Sequence, residues 1–164
     1  MSELHTIAQQ MVQKGRGILA ADESTGTCTK RFEGIGVEST ADLRCAYRSA
    51  LFTSPGLEQY ISGVILYDET FRQNVNHTDT LIPQYLQSKD ILPGIKVDAG
   101  AKNLANSSEE KITEGLDGLR ERLKKYYELG ARFTKWRGVY SISEKYPSKL
   151  AINSNAHALA RYSA

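Results

Sequence analysis

Apolar residues recur along this chain in two rhythms. Leu4, Ile7, Ala8, Met11 and Val12 follow helical spacing, and Lys14-Gly15 supplies a C-terminal stop. The short apolar run GILAA, from Gly17 to Ala21, then predicts a strand. Ser24 and Thr25 suit the cap of a helix that carries Lys30, Arg31 and Phe32 as far as Gly34. Ser39 to Asp42 approximates a capping box that opens a second helix through Leu51. ISGVILYDET predicts a second strand, again apolar and again ending in carboxylates, Asp68 and Glu69. A helix around Leu81 to Ser88 leads into a third strand, ILPGIKVD. Leu116, Leu119, Leu123 and Tyr126 form a helical stripe that stops at Gly130. ARFTKWRGVY reads as a fourth strand, and Pro147 to Ala164 as a closing helix. The loop AGAKNLANSSEEK, Ala99 to Lys111, is expected to be the most mobile stretch.

The order is a helix followed by four β-to-α units. Strand starts fall near Gly17, Gly63, Gly94 and Ala131, which are 46, 31 and 37 residues apart. That spacing belongs to right-handed βαβ crossovers in a parallel sheet. Two α/β architectures use such units: a small doubly wound domain, or half of a (β/α)8 barrel. A doubly wound nucleotide binder carries a glycine-rich turn after its first strand, and here only STGTC approaches one. The barrel half is therefore expected, with residues 1–164 forming one incomplete domain and the two outer strands left with unpaired edges.

Composition narrows the class. With 164 residues the chain suits one domain that buries about two-thirds of its unfolded surface. Hydrophobic residues at 40% and charged residues at 24% exclude a disordered chain. Lys and Arg number 21 against 19 Asp and Glu, interleaved without a basic block, so no nucleic-acid partner is expected. No apolar run approaches the ~18 residues of a membrane span, and MSELHTIAQQMV lacks the charged and apolar regions of a secretory signal. Cys28 and Cys45 have no metal-ligand spacing. These features predict a cytoplasmic protein with no metal and no membrane partner.

In parallel α/β folds the chemistry gathers at the C-terminal ends of the strands. Asp22 ends the first strand, Lys96 stands between Ile95 and Val97 in the third, and Lys135 and Arg137 are two apart in the fourth. Alternation puts the last two on one face. If that face is the barrel interior, Asp22, Lys96, Lys135 and Arg137 converge on a positive cavity suited to an anionic small molecule. The hydroxyls of Ser24 and Thr27, near a helix N-terminus with Arg31 close by, add an anion site of phosphate size. Crowded lysines serve as Schiff-base nucleophiles, proton donors or electrostatic clamps, so carbonyl chemistry on a phosphorylated compound is permitted. Plainer readings stand beside these. Lys96 alone reads equally well as an edge residue reaching water, Lys135 and Arg137 as the polar face of a half-exposed strand, and Asp22-Glu23 as a helix cap. His5, His77 and His157 follow no apolar strand and read as surface residues, and Tyr126-Tyr127 reads as packing. Agreement between three strand ends favours a site.

GILAADESTGT, GVILYDET, GIKVD, TEGLDGLRERLKKY and FTKWR, in this order, resemble class I fructose-bisphosphate aldolase, the Schiff-base-forming, metal-independent glycolytic enzyme. The resemblance runs over essentially the whole chain and implies the (β/α)8 barrel, no cofactor, a phosphorylated sugar substrate and, for the complete enzyme, a homotetramer. It implies that Asp22 is the catalytic carboxylate assisting proton transfers and carbinolamine formation. Lys135 then assists C–C cleavage, Lys96 positions Asp22 and the sugar phosphate, and Arg137 belongs to the same charged cluster. Ser24, Thr27 and Arg31 correspond to part of the C6-phosphate site, and Arg44 to a further substrate contact. Thr27 stands where serine is common, and Ala99 where many relatives have lysine. The family's Schiff-base lysine, its glutamate pair, the C1-phosphate loops and the C-terminal tyrosine have no counterpart in these residues. The sequence is thus expected to be the N-terminal half of the enzyme, as an incomplete gene product or a truncated paralogue. One expectation is an aldolase that reversibly cleaves fructose 1,6-bisphosphate to dihydroxyacetone phosphate and glyceraldehyde 3-phosphate. The other is a non-catalytic remnant acting at most as a binding or interaction module.

Overall fold

The structure is a computed structural model that describes residues 2–164. In chain order its elements are α1 (Glu3–Met11), β1 (Gly17–Ala21), α2 (Thr25–Glu33), α3 (Ala41–Phe52), α4 (Leu57–Tyr60), β2 (Ile61–Leu66), α5 (Asp68–Phe71), α6 (Ile82–Ser88), β3 (Leu92–Lys96), β4 (Ala101–Asn103), β5 (Lys111–Thr113), α7 (Leu119–Glu128), β6 (Phe133–Lys135) and α8 (Lys149–Ser163). They form two compact units. The first runs to Lys96 and includes Tyr126–Thr134; the second joins Val97–Lys125 to Lys135–Ala164.

In the first unit a four-stranded sheet has the order β1-β2-β3-β6. β1 pairs in parallel with β2, and β2 with β3, through the register Ala20↔Ile65↔Gly94 and Ala21↔Leu66↔Ile95. Each parallel step needs a crossover, and helices supply it, as the spacing of the apolar runs predicts. One face of the sheet buries Ala21, Val64, Leu66 and Ile95 together with Phe71, Ile82 and Leu86 from α5 and α6. On the other face stand Gly63 and Gly94. A Cβ at Gly94 would lie 2.3 Å from the Phe133 ring, and one at Gly63 would lie 3.0 Å from it. Only the absent side chains let the aromatic ring lie across the strands. α1 forms where its periodicity predicts, with Ser2 accepting from the His5 amide, yet it buries no residue fully and leaves Leu4 exposed.

Serine or threonine side chains cap the starts of α1, α2, α3 and α8. Ser24 caps α2 by accepting from the Thr27 amide, and Gly34 ends it. α3 differs by one residue from the expected capping box. Its cap is Thr40, which accepts from Leu43, because Ser39 is occupied by Arg44 through both its carbonyl and its hydroxyl, at 3.1 and 3.0 Å.

In the second unit part of the stretch read as a loop forms regular structure. Ala101–Asn103 and Lys111–Thr113 pair as an antiparallel hairpin with Asn103 opposite Lys111. Leu104 donates its amide to the Glu110 carbonyl at 2.8 Å, and Ser107 donates to Leu104 at 2.9 Å, so the polar turn closes on itself. Burial of Leu104 and Glu110 anchors it. Glu110 also accepts from the amide and hydroxyl of Ser148, at 2.6 and 2.7 Å, while that hydroxyl caps α8 through the Ala151 amide. Asn155, buried in α8, donates to the Lys111 carbonyl at 2.9 Å. The fourth strand is shorter than ARFTKWRGVY suggests: regular pairing ends at Lys135, beyond which Arg137 is held by loop contacts. Trp136 turns to the closing helix, its ring 5.2 Å from that of Tyr162.

Candidate active site

β1 breaks off just where its apolar run meets Asp22-Glu23. Alternation carried one residue past Ala21, Leu66 and Ile95 puts Asp22, Tyr67 and Lys96 level with one another on the face of Gly63 and Gly94. Asp22 is buried at 8% exposure, and Lys96 is half-buried. The carboxylate that the sequence leaves at the end of an apolar run therefore shares its face with the strand lysine, two strands away.

The turn after Asp22 carries the hydroxyl cluster. Ser24 Oγ lies 3.1 Å from Thr27 Oγ1 at the start of α2, with Thr27 exposed. Arg31, one turn along, is exposed and pairs through Nη1 with Glu23 Oε1. The Glu23 hydrogen bond and charge raise the Arg31 pKa above its ordinary value, with Tyr47 adding to the effect.

Arg44 is buried and fully engaged. Its Nε donates to Glu69 at 2.9 and 3.1 Å, its Nη2 at 2.8 Å, and its Nη1 goes to Ser39. The hydrogen bond to Glu69 raises its pKa, with burial opposing. A folded-state value above the unfolded one means that the stabilisation is present at neutral pH and is lost only as the pH climbs far into the alkaline range. Arg72 is raised in the same way by Asp68, which also accepts from the Tyr126 hydroxyl at 2.8 Å.

Arg48 is the residue that sequence reasoning missed. With no exposed surface, it donates to Thr70 Oγ1 at 2.6 Å, to the Glu23 carbonyl, and to Cys28 Sγ at 3.6 Å. It thereby ties α2, α3 and α5 to the turn between Asp22 and Ser24. The available signal was spacing: Arg44, Arg48 and Phe52 recur every fourth residue on the stripe of α3 that is buried.

In the second unit, Lys135 is half-buried and ends β6, and its carbonyl accepts from the Val97 amide at 3.1 Å. Arg137 lies two residues past the strand and is exposed. Its amide donates to Asp98 Oδ2 at 3.3 Å, and its carbonyl accepts from Thr113. Strand alternation thus places Lys135 with Phe133 but does not extend to Arg137. His5, His77 and His157 are exposed, and Tyr126 packs edge-on to Phe71 at 5.7 Å, as expected. Among the described residues no helix is long and apolar enough to cross a membrane, and no group of three His, Cys, Asp or Glu could hold a metal ion.

Comparison with known proteins assigns this arrangement to a family. A family model described as fructose-bisphosphate aldolase class-I matches residues 3–164. A probable class 1 fructose-bisphosphate aldolase from Xanthomonas campestris pv. campestris is 54% identical, the match covering 100% of this chain and 49% of that protein. A fructose-bisphosphate aldolase 1 from Toxoplasma gondii is 52% identical over 99% of this chain and 45% of its own length. A solved structure of fructose-bisphosphate aldolase from Plasmodium falciparum, in complex with TRAP and a small-molecule inhibitor, superposes with a TM-score of 0.93 at 50% identity, covering 98% of this chain and 46% of that one. The chain spans about half the length of the curated relatives it matches. The fold is a partial (β/α)8 barrel, and the chain belongs to the class I fructose-bisphosphate aldolase family.

Proposed function

We propose that this chain supplies the N-terminal half of an enzyme that reversibly cleaves fructose 1,6-bisphosphate to dihydroxyacetone phosphate and glyceraldehyde 3-phosphate, working in the cytosol as a homotetramer when complete. The family match over residues 3–164 carries this reading. The shared face of Asp22 and Lys96 supports it. A relative from Arabidopsis thaliana that is 52% identical bears the name fructose-bisphosphate aldolase 4, cytosolic.

In this reading Asp22 relays protons as the carbinolamine forms and collapses. Lys96 holds Asp22 and the sugar phosphate in position, Lys135 assists the proton transfer that accompanies C–C cleavage, and Arg137 adds positive charge. Ser24, Thr27 and Arg31 bind one phosphate. Arg44 enters as a substrate contact only if it releases Glu69 or Ser39, to which its donors are committed.

The test is a chimera in which residues 1–164 are fused to the remaining half of the Xanthomonas relative and assayed for cleavage of fructose 1,6-bisphosphate. The chimera should be active. In it, Lys135→Ala should lower turnover by about a hundredfold or more, the scale of lost acid–base assistance. Thr27→Ala should instead raise KM by several-fold, roughly the effect of removing one hydrogen bond to a group that does not react. A folded but inactive chimera would favour the non-catalytic remnant. An effect of Lys135→Ala on KM alone would reassign Lys135 to binding.

A further inference from the structure

Glu23 lies between Asp22 and the helix cap Ser24, and its carboxylate is shared by two arginines of opposite accessibility. Oε1 pairs with Arg31, whose side chain is 54% exposed; Oε2 lies 3.8 Å from Nη2 of Arg48, whose side chain is 1% exposed. The second contact is an ion pair without a hydrogen bond. Oε2 is buried with no hydrogen-bond partner, and so is the Nε of Arg48. A stranded acceptor close to a guanidinium with a stranded donor has a second partner within reach once Arg31 is drawn away, since unmade buried hydrogen bonds are destabilising. Arg48 cannot move to meet Glu23, because Thr70 and the Glu23 carbonyl fix it. Arg31 can pivot, because its stem is exposed.

We propose that Glu23 is a specificity-determining competitor at the phosphate site: it holds the Arg31 guanidinium until a phosphate takes that guanidinium, and then transfers to Arg48. The inference rests on the reading of Ser24, Thr27 and Arg31 as phosphate ligands. A phosphate dianion offers more charge and more acceptor oxygens to a guanidinium than one carboxylate does, so it can displace Glu23. A neutral hydroxyl offers no charge, and a monoanion offers no more than the carboxylate it would replace. Without the transfer, phosphate and carboxylate would oppose each other across one guanidinium. With it, the carboxylate moves to a buried cation that is already in place. The device excludes unphosphorylated sugars by a cost that only the correct ligand overcomes.

The test titrates the 164-residue chain with inorganic phosphate and follows arginine Nε–H signals by NMR, with affinity measured in parallel by calorimetry. In the wild-type chain the Arg31 and Arg48 signals should move along one isotherm. Glu23→Gln should bind phosphate at least fivefold more tightly, and adding Arg31→Ala should abolish the gain. If Glu23→Gln fails to fold, movement or stillness of the wild-type Arg48 signal decides. An Arg48 signal that stays still while Arg31 responds, or a folded Glu23→Gln chain with unchanged or weaker affinity, overturns the competitor role. In those cases weaker binding by Arg31→Ala leaves the phosphate reading standing. Absence of phosphate binding in the wild type and in every variant overturns the competitor role and the phosphate reading together.

Discussion

Arg48 and Asp22 are both ionisable residues with little or no exposed surface, yet only one was legible from the sequence. Asp22 interrupts an apolar run, and a carboxylate at that place needs a reason. Arg48 sits in ADLRCAYRSALF, where an arginine ordinarily reads as a solvated helix residue, and only the fold places Glu23 and Thr70 around it. Its energetic weight follows from that enclosure. Arg48→Met should destabilise the chain by about 3–5 kcal/mol, the range for removing one partner of a buried pair, because Glu23 and Thr70 lose their donor together. Arg48→Lys should recover only part of the loss, since one ammonium cannot reproduce the planar fork that reaches Thr70, the Glu23 carbonyl and Cys28 at once. Urea unfolding of the three proteins measures both effects, and equal stability of the lysine and wild-type chains would show that a point charge suffices. The proposed phosphate ligands were legible as residue types but not in their commitments. Nothing in ADESTGTCTKR announces that Glu23 occupies Arg31, because that pairing depends on how the turn between β1 and α2 is folded.

At the scale of elements, β1, β2 and β3 were readable because each is a short apolar run that ends in charge, the composition of a parallel strand in a sheet covered on both faces. The hairpin of β4 and β5 was not. Each strand has three residues, too few for alternation to register, and its turn is polar enough to read as loop. What fixes it lies elsewhere in the sequence: Ser148 and Asn155 bind Glu110 and the Lys111 carbonyl. Glu110→Ala should therefore loosen both the hairpin and the first turn of α8, by about 1–3 kcal/mol for a buried, charge-assisted hydrogen-bond group. Hydrogen exchange should show faster exchange at Leu104 and Ala151 together; a change confined to the hairpin would separate the two elements. A second prediction concerns the face opposite the helices. Gly94→Ala drives a methyl group into the Phe133 ring and should cost about 1–3 kcal/mol, as overpacking does. Phe133→Leu in the same chain should restore part of that loss, whereas in the wild type it should only destabilise.

For the molecule as a whole, the count of β-to-α units identified the barrel class, but the candidate chemistry requires more than these residues. A class I aldolase uses an amine that attacks the substrate ketone and forms an iminium, the electron sink for C–C cleavage. The resemblance assigns that amine to a lysine with no counterpart here and gives Lys96 and Lys135 acid–base and electrostatic roles. Both are half-buried rather than enclosed. The sheet also leaves β1 and β6 at its edges, each hydrogen-bonded along one side only among the described residues, with Ile18 of β1 exposed. Parallel edges of this kind favour pairing with further strands. The 164-residue polypeptide should therefore associate with itself as its concentration rises, which sedimentation velocity measures. It should also form no covalent adduct with dihydroxyacetone phosphate, even where phosphate binds at Ser24, Thr27 and Arg31. Borohydride trapping followed by intact mass measurement is the check: an unchanged mass is expected with or without substrate. A stoichiometric, substrate-dependent increase would show that Lys96 or Lys135 can serve as the nucleophile, and peptide mapping would then identify which of the two carries the adduct.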